Sequence, residues 1–262
     1  MKKVSIKKLQ GFTLIEIIVV IMIVAIIASF STSFIVSATK SFVSVSQKND
    51  LLSESRLATE YMTRRLQNAL PYSVRITNSE TCLEFMPIVS SGLYREIVPS
   101  VVNGAFANGN TASIITAPFI ISGGTADYIS IGASASSELY GVLPGSLAEI
   151  ESVLATSVTL TVNKQWLRNS INQRFYIVEN PSAFCLINNQ IRLYRNLSII
   201  DDNVNINADY DLLAQSVSPF GTPFAISSAI EDRNIRVTAS LVFTRGDNRF
   251  ESIKQMVIRN VP

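Results

Sequence analysis

Three residues near the N-terminus have types and spacing that could do chemistry: Gly11, Phe12 and Glu16. They follow the basic pair Lys7-Lys8, and Glu16 lies inside a run of apolar residues, where a carboxylate costs free energy unless it is neutralised or paired. Cleavage after Gly11 would create an ammonium group at Phe12, four residues before Glu16 and therefore on the same face of a helix. The spacing predicts a processing site whose product supplies the charge that Glu16 needs.

This charge pair could form in two ways if the apolar run is a helix. It could join Phe12 and Glu16 of one chain, or Glu16 of one chain and Phe12 of the next in a bundle of staggered parallel helices. The alternative is that Glu16 reaches toward lipid headgroups at the edge of a membrane, which leaves the Gly11–Phe12 junction unexplained.

The segment after the junction is long and apolar enough to cross a membrane as a helix. Every residue from 17 to 28 is apolar, and residues 12–30 contain only three polar side chains, Thr13, Glu16 and Ser29. The nearby positive charge lies on the N-terminal side, which predicts a single pass with the N-terminus in the cytoplasm and the remainder across the membrane. A cleaved secretory signal and a plain uncleaved anchor are the alternatives.

Charge and composition argue against two broad classes of function. Four of the 22 basic residues are the lysines at positions 2, 3, 7 and 8, which leaves 18 basic against 20 acidic residues downstream. This balance does not favour a nucleic-acid partner. The chain has no histidine, which removes the usual nucleophile–histidine pairs and His-based zinc sites. We therefore expect neither an enzyme nor a bound cofactor.

The run Gly11-Phe12-Thr13-Leu14-Ile15-Glu16, after a short basic leader, resembles the prepilin cleavage and methylation motif that type IV pilins and type II secretion pseudopilins share. The resemblance implies that residues 1–11 are a leader removed by prepilin peptidase and that Phe12 is N-methylated. It also implies that Glu16 faces the N-terminus of a neighbouring subunit. The implied partners are major and minor pilin subunits, the inner membrane assembly platform and membrane lipid. The implied location is first the inner membrane, with the head in the periplasm, and then a pilus at the cell surface.

Short stretches further along resemble a narrower group, the MshO-type minor pilin of mannose-sensitive haemagglutinin pili. These stretches are residues 66–71, 82–88, 184–186 and 257–262. The resemblance implies a minor pilin that takes part in assembly and priming near the pilus tip, and the retained Glu16 implies a position below the outermost subunit. A type II secretion pseudopilin of the J type and a tip adhesin that binds a surface ligand are the alternatives.

One long helix is predicted from residue 12 to residue 70, because this stretch has no Gly or Pro and Pro71 then stops it. Residues 12–36 form the transmembrane and polymerisation part. Residues 37–70 form an amphipathic part that should pack on a folded head. Its apolar side carries Leu51, Ala58, Met62, Leu66 and Leu70.

Residues 71–262 predict a β-rich extracytoplasmic head, so the expected fold class is α+β, with a long helix packed on a mainly antiparallel sheet. Alternating or β-rich runs predict strands at 81–88, 128–131, 157–162, 174–178 and 184–194, the last with a turn at Asn188-Asn189. The clearest hairpin joins 235–243 to 250–258 through Gly246-Asp247-Asn248.

Residues 89–157 contain eight of the eleven glycines, mixed with Ala and Ser, which predicts a loop-rich insertion in the head. Loops often carry binding residues, so this insertion could determine partner specificity. It could equally be a variable surface.

Two further sets of side chains in the head are candidates for structural or binding roles. Cys82 and Cys185 predict a disulfide if the head faces an oxidising compartment, with two buried free thiols as the alternative. Asp201, Asn203 and Asn205 place oxygens at alternate positions, as a calcium loop does, but the segment lacks the Gly and the bidentate Glu of an EF-hand. A solvated polar turn is the favoured interpretation, and no metal is assigned.

Overall fold

The structure is a computed structural model that describes residues 11–101, 109–121, 123–228 and 234–258. Most of the predicted leader, residues 1–10, lies outside the described residues, as do residues 102–108 of the predicted insertion and the last four residues of the chain. The chain divides into two compact units, one ending at Asn49 and one beginning at Asp50.

A single helix, α1, runs from Leu14 to Gln67. It starts two residues later and ends three residues earlier than the sequence predicts. The early end has a physical cause beyond Pro71: Ala69 forms a bridge with Pro87, and the Leu70 N–H donates to the Met86 carbonyl at 2.8 Å. These backbone bonds draw the chain into the head before the proline is reached.

The part of α1 in the first unit is mostly exposed, and its stretch up to Phe30 is apolar. Its mean hydropathy reaches 2.8, and by length and composition it could cross a membrane. Its hydroxyl groups donate to carbonyls three or four residues earlier on the same helix, at 2.8–2.9 Å, from Ser29, Thr32, Ser33 and Thr39. These four polar side chains therefore need no external partner in a lipid environment.

The part of α1 in the second unit buries one face in the head, as the apolar pattern predicts. The buried residues of this face are Leu51, Ser55, Ala58, Thr59, Met62 and Leu66. Leu70 is also buried, but it lies beyond the end of the helix. On the opposite face, Arg64 forms an exposed ion pair with Glu60 at 3.1 Å.

The described residues of the head form three antiparallel sheets, which confirms the α+β, pilin-like architecture. A short 3₁₀ helix at Ser136–Glu138 follows the fifth strand. The strands in chain order are β1 (Arg75–Thr77), β2 (Cys82–Phe85), β3 (Ile88–Leu93), β4 (Thr111–Ile115), β5 (Tyr128–Ile131), β6 (Leu147–Leu154), β7 (Ser157–Lys164), β8 (Arg174–Val178), β9 (Ser182–Ile187), β10 (Gln190–Tyr194), β11 (Tyr210–Gln215), β12 (Val217–Ser228), β13 (Ile235–Arg245) and β14 (Asn248–Ile258).

The main core lies between α1 and two of these sheets. One sheet has the order β1-β2-β9-β10-β11, and the other has the order β12-β13-β14. Apolar side chains from both sheets and from α1 make one buried cluster, which includes Met62, Phe184, Phe224 and Phe243. This packing is what the amphipathic half of the helix predicts.

Two hairpins form where turn residues separate alternating strands. Asn188 and Asn189 have φ values of 50° and 58° and join β9 to β10, a conformation that Asn tolerates in tight turns. Gly246, with φ of 57°, helps join β13 to β14, whose register runs without a shift from Arg245–Asn248 to Ile235–Ile258. Both hairpin predictions are confirmed.

The predicted strand at 81–88 is wrong as a single element. It divides into β2, which ends at Phe85, and β3, which begins at Ile88 in a different sheet. Pro87 lies at the division, where it has no N–H to donate to a ladder. The prediction missed this because both halves are rich in strand-forming residues.

The segment 89–157 contains strands as well as long loops, and the prediction of a loop-rich insertion did not anticipate those strands. It contributes most of β3, all of β4, β5 and β6, and the start of β7 to a sheet of order β3-β8-β5-β6-β7-β4. The edge strands meet where Tyr94 bridges Thr116, so the sheet closes on itself. Gly123, Gly124 and Gly132 have φ between 65° and 81°, so these glycines mark turns between strands.

The closed sheet has its own hydrophobic core. The largest buried side chains in it are Tyr94, Trp166 and Phe175, each no more than 1% exposed. A smaller cluster that includes Leu70, Met86 and Tyr140 lies beside the end of the helix segment and receives Val178 from β8. A second small cluster surrounds the two cysteines and includes Tyr194 and Val204, so the described part of the head contains two main cores and two smaller clusters.

Candidate processing and assembly site

The Gly11–Phe12 bond lies in accessible backbone just before the helix. Gly11 is exposed, and a Cβ atom added to it would meet no heavy atom within 4 Å. Phe12 is 80% exposed, and α1 begins two residues later at Leu14. A protease can bind an exposed, non-helical bond of this kind without unfolding the helix.

Glu16 lies in the first turn of α1. The Thr13 carbonyl accepts hydrogen bonds from the N–H groups of Glu16 at 3.1 Å and Ile17 at 3.4 Å, which makes Thr13 the N-cap residue. A carboxylate at this position interacts favourably with the helix dipole. Phe12 carries a peptide nitrogen in the uncleaved chain, so its ion pair with Glu16 stays a prediction.

One local signal for the start of the helix went unused in the sequence prediction. Thr13 and Glu16 have the Ser/Thr-x-x-Glu spacing of a capping box, in which the glutamate reaches back to the N–H of the cap residue. That spacing is visible in the sequence and could have placed the helix start.

The N-terminal segment matches one known family model. A model of the prokaryotic N-terminal methylation motif matches residues 6–32, which include Gly11, Phe12 and Glu16. No curated protein and no solved structure matches the chain. The matched motif, together with the α+β architecture, supports a pilin or pseudopilin that is processed by prepilin peptidase and assembles with other pilins.

Cys82 and Cys185 form a disulfide with an S–S distance of 2.02 Å, so the predicted bridge is present. The two residues lie directly opposite each other on β2 and β9, and both side chains are fully buried. The bridge spans 103 residues of sequence that contain all six strands of the closed sheet. It therefore ties together the two chain segments that lead into and out of that sheet.

The calcium candidates lie on a loop whose oxygens are used to hold the loop in place. Arg75 donates to the Asp201 carbonyl at 2.6 Å, and the Asn203 side-chain oxygen accepts the Asn78 N–H at 3.0 Å. The side-chain oxygen of Asn205 accepts a backbone N–H two residues later. Within the described residues, no group of three or more His, Cys, Asp or Glu side chains could hold a metal ion.

A buried ion pair that the sequence prediction missed lies beside this loop. Arg75 binds both carboxylate oxygens of Glu84, at 2.9 and 3.2 Å, and stacks 3.7 Å from the ring centroid of Tyr140. Glu84 is only 2% exposed, and burial raises the pKa of its carboxyl, while Arg75 acts in the opposite direction. Arg75 and Glu84 are opposite residues on β1 and β2, a pairing that requires the strand register to be known.

A set of charged contacts fixes α1 to the head where the second unit begins. Arg245, at the end of β13, forms ion pairs with Asp50 at 3.2 Å and with Glu54 at 3.0 Å. The other oxygen of Glu54 accepts the Gln215 N–H at 2.8 Å. These contacts, all within the second unit, hold its first helical residues against two sheets at once.

Proposed function

We propose that this chain is a minor type IV pilin of the mannose-sensitive haemagglutinin type, which takes part in pilus assembly and priming near the tip. It is cleaved after Gly11 and N-methylated at Phe12. The observation that carries this proposal is the match of residues 6–32 to the methylation motif. The exposed Gly11–Phe12 bond and the position of Glu16 in the first turn of α1 agree with it. The role is structural, and no catalytic activity is assigned to the chain.

The properties of α1 support the membrane stage of this function. In the proposal, the apolar half holds the unassembled subunit in the inner membrane, with the N-terminus in the cytoplasm and the head in the periplasm. The assembly platform then transfers the helix from lipid into a bundle with other major and minor pilins. A helix whose hydroxyls at Ser29, Thr32 and Ser33 are already bonded is suited to both environments.

The test is to replace Gly11 and Glu16 separately by Ala in the full chain and to express each variant in the native cell. We expect Gly11→Ala to stay at precursor size and Glu16→Ala to be cleaved but lost from sheared pili, since its charge partner is gone. Glu60→Ala, at an exposed position later on the same helix, is the matched control. Normal processing and incorporation of both test variants would overturn the proposal.

A type II secretion pseudopilin of the J type is the alternative within the same class. Deleting the gene separates the two assignments. We expect loss or shortening of the pili and unchanged export of proteins by type II secretion. Loss of export with normal pili would instead show that the chain is the pseudopilin.

An adhesin role is the second candidate, and one surface of the closed sheet favours it. A cleft of about 370 Å³ beside β6 and β7 carries the exposed apolar side chains Val142, Leu143, Val162 and Ile200. The substitution Leu143→Asp tests it, because this side chain is 91% exposed and its change should leave the core intact. Loss of adhesion with normal piliation would support an adhesin.

A further inference from the structure

Two arginine side chains in the head converge on a single phenol. The Tyr61 hydroxyl oxygen accepts from Arg65 Nε at 3.2 Å and from the terminal nitrogen of Arg195 at 3.4 Å. Arg195 also pairs with Asp211 at 2.7 Å, but no ion pair joins Arg65 to a carboxylate in the described part of the chain. Arg65 also lies with its guanidinium carbon 5.5 Å from the Tyr61 ring centroid, and its positive charge has no carboxylate partner in the described part of the chain.

The two arginines line a cleft of about 380 Å³ with a mixed lining. Its apolar lining residues are Phe85, Pro87 and Leu193, and Asn196 adds an amide. Glu179 also lines the cleft and accepts the Thr125 N–H at 3.2 Å, so it is held by the backbone of another loop. Among the charged residues that line it, cations outnumber anions by two to one.

From Arg65 a row of side chains, here called the stripe, runs along α1 beside the face that packs on the head. Leu57, Tyr61 and Arg65 are spaced by four residues and so follow one another along the helix surface over about 12 Å. Leu57 is 73% exposed, while Tyr61 packs edge-on against Phe184 at 6.4 Å. The stripe and the arginine cleft together form a surface that is longer than a single sugar ring. Its length suits a short polypeptide segment.

We propose that the cleft and stripe bind an acidic segment of a neighbouring pilin subunit. A carboxylate of that segment lies between Arg65 and Arg195, and an apolar side chain of the same segment covers Leu57. Guanidinium groups match carboxylates in geometry as well as in charge, which suits the paired arginines to this ligand. The inference rests on the proposed function, because it takes the partner to be another subunit of the assembly.

The test uses the full chain in the native cell, with arginine variants inside and outside the cleft. We expect Arg65→Ala and Arg195→Ala to be cleaved and disulfide-bonded normally but reduced roughly tenfold in sheared pili, as for a lost charge-assisted contact. Arg65→Lys should recover part of the loss, because lysine keeps the positive charge but lacks the planar guanidinium group that can bind both oxygens of a carboxylate. Arg56→Ala and Arg64→Ala, at exposed positions on the same helix, should match the unaltered chain.

The second experiment places a photo-crosslinking residue at position Leu57. It does not require the Arg65→Ala variant to fold. The expected product joins this position to a peptide of another subunit that contains Asp or Glu, and Arg65→Glu should abolish it while Arg64→Glu does not. A crosslink to a peptide without an acidic residue would overturn the proposal, as would normal incorporation of both cleft variants.

A third arm separates a protein partner from an acidic sugar. The purified full chain in detergent micelles is titrated with sialyllactose and with a polyglutamate peptide. Arg65-dependent binding of the peptide supports the proposal, whereas Arg65-dependent binding of the sugar with normal incorporation overturns it. A different result would overturn the proposed function, namely normal processing and incorporation of the Gly11 and Glu16 variants. The two failures can therefore be told apart.

Discussion

At the scale of single residues, Glu84 and Glu138 each bind an arginine, yet their surroundings move their pKa values in opposite directions. Burial is the largest influence on Glu84 and raises the pKa of its carboxyl against the opposing effect of Arg75. Burial also acts to raise the pKa of Glu138, but hydrogen bonds from Arg168 and Ser134 outweigh it and lower the pKa overall. The two groups therefore contribute to stability with opposite dependence on pH.

For Glu84→Gln we expect the loss of one pH-dependent component of stability. The folded protein binds the Glu84 proton more tightly than the unfolded chain does, because the pKa is raised from its ordinary value of 4.5. This group therefore raises the unfolding free energy of the unaltered protein as pH falls from neutral toward 4.5. The variant lacks this increase. Urea unfolding at several pH values between 7 and 4.5 measures the difference, and parallel curves would contradict it.

For Glu138→Gln the expected sign is the reverse. A lowered pKa gives a stabilising contribution that is present above the ordinary value of 4.5 and is lost as pH falls through the lower folded-state value. The variant should therefore lose less stability than the unaltered protein below pH 4.5. The same urea series extended to pH 3 measures this, and an equal loss in the two proteins would show that the ion pair with Arg168 does not lower the pKa.

At the scale of elements, the attachment of α1 to the head depends on a few polar contacts as well as on the apolar face. Arg245 reaches Asp50 and Glu54 from the end of a strand, and Glu54 also accepts a backbone N–H. These groups are partly exposed, so each ion pair contributes modestly. Because these pairs lie at the start of the second unit, they should affect the attachment of that part of the helix more than the stability of the whole head.

For Arg245→Ala we expect local loosening of the helix with little global change. Amide hydrogen exchange in residues 50–58 should accelerate about fivefold, since losing exposed ion pairs costs up to about 1 kcal/mol. Arg249→Ala is the matched control, because Arg249 forms an exposed pair with Glu251 on β14. Equal exchange in the two variants would show that the contacts to Asp50 and Glu54 do not hold the helix.

At the scale of the whole molecule, the head combines two main cores with one covalent link. The closed sheet surrounds its own buried cluster, and the main core lies between α1 and the other two sheets. The disulfide joins β2 to β9, on either side of the sequence that makes the closed sheet. This arrangement makes the closed sheet a nearly self-contained part of the head.

Replacing Cys82 and Cys185 together by Ala should lower the unfolding free energy by about 4 to 5 kcal/mol, because the bridge closes a loop of roughly 100 residues in the unfolded chain. Denaturant unfolding of the full chain in detergent micelles measures the effect. A change below about 1 kcal/mol would show that the unfolded chain is already compact in this region. Reductant alone should act slowly on the folded protein, since both sulfurs are buried.

Phe175→Ala should destabilise the closed sheet selectively. The ring is fully buried and packs against Phe119 at 5.0 Å, and such truncations cost about 3–5 kcal/mol. Trp166 is the only tryptophan and lies in the same core, so its fluorescence reports this sheet. We expect the fluorescence transition in urea to precede the far-ultraviolet circular dichroism transition in this variant and to coincide with it in the unaltered chain.

The matched control for that experiment is Phe243→Ala in the main core. Here we expect the circular dichroism transition to shift at least as far as the fluorescence transition, because the main core joins α1 to two sheets. If the two transitions coincide in both variants, the two cores unfold as one cooperative unit.

The features that the sequence by itself determined are local ones. The spacing of Gly11, Phe12 and Glu16, the absence of Gly and Pro along α1, and the turn residues at Asn188-Asn189 and Gly246 each act on near neighbours in the chain. Helix continuity and tight turns depend on backbone preferences within a few residues, so both could be predicted.

Only the tertiary structure decided which distant segments meet. The closure of the third sheet through Tyr94 and Thr116, the division of the 81–88 strand between two sheets, and the convergence of Arg65 and Arg195 on Tyr61 join residues that local patterns do not relate. Glycine occurs both in turns between strands and in longer loops, so the glycines of residues 89–157 did not indicate the strands between them. Local propensity acts along the chain, whereas strand order and charge convergence result from packing across it.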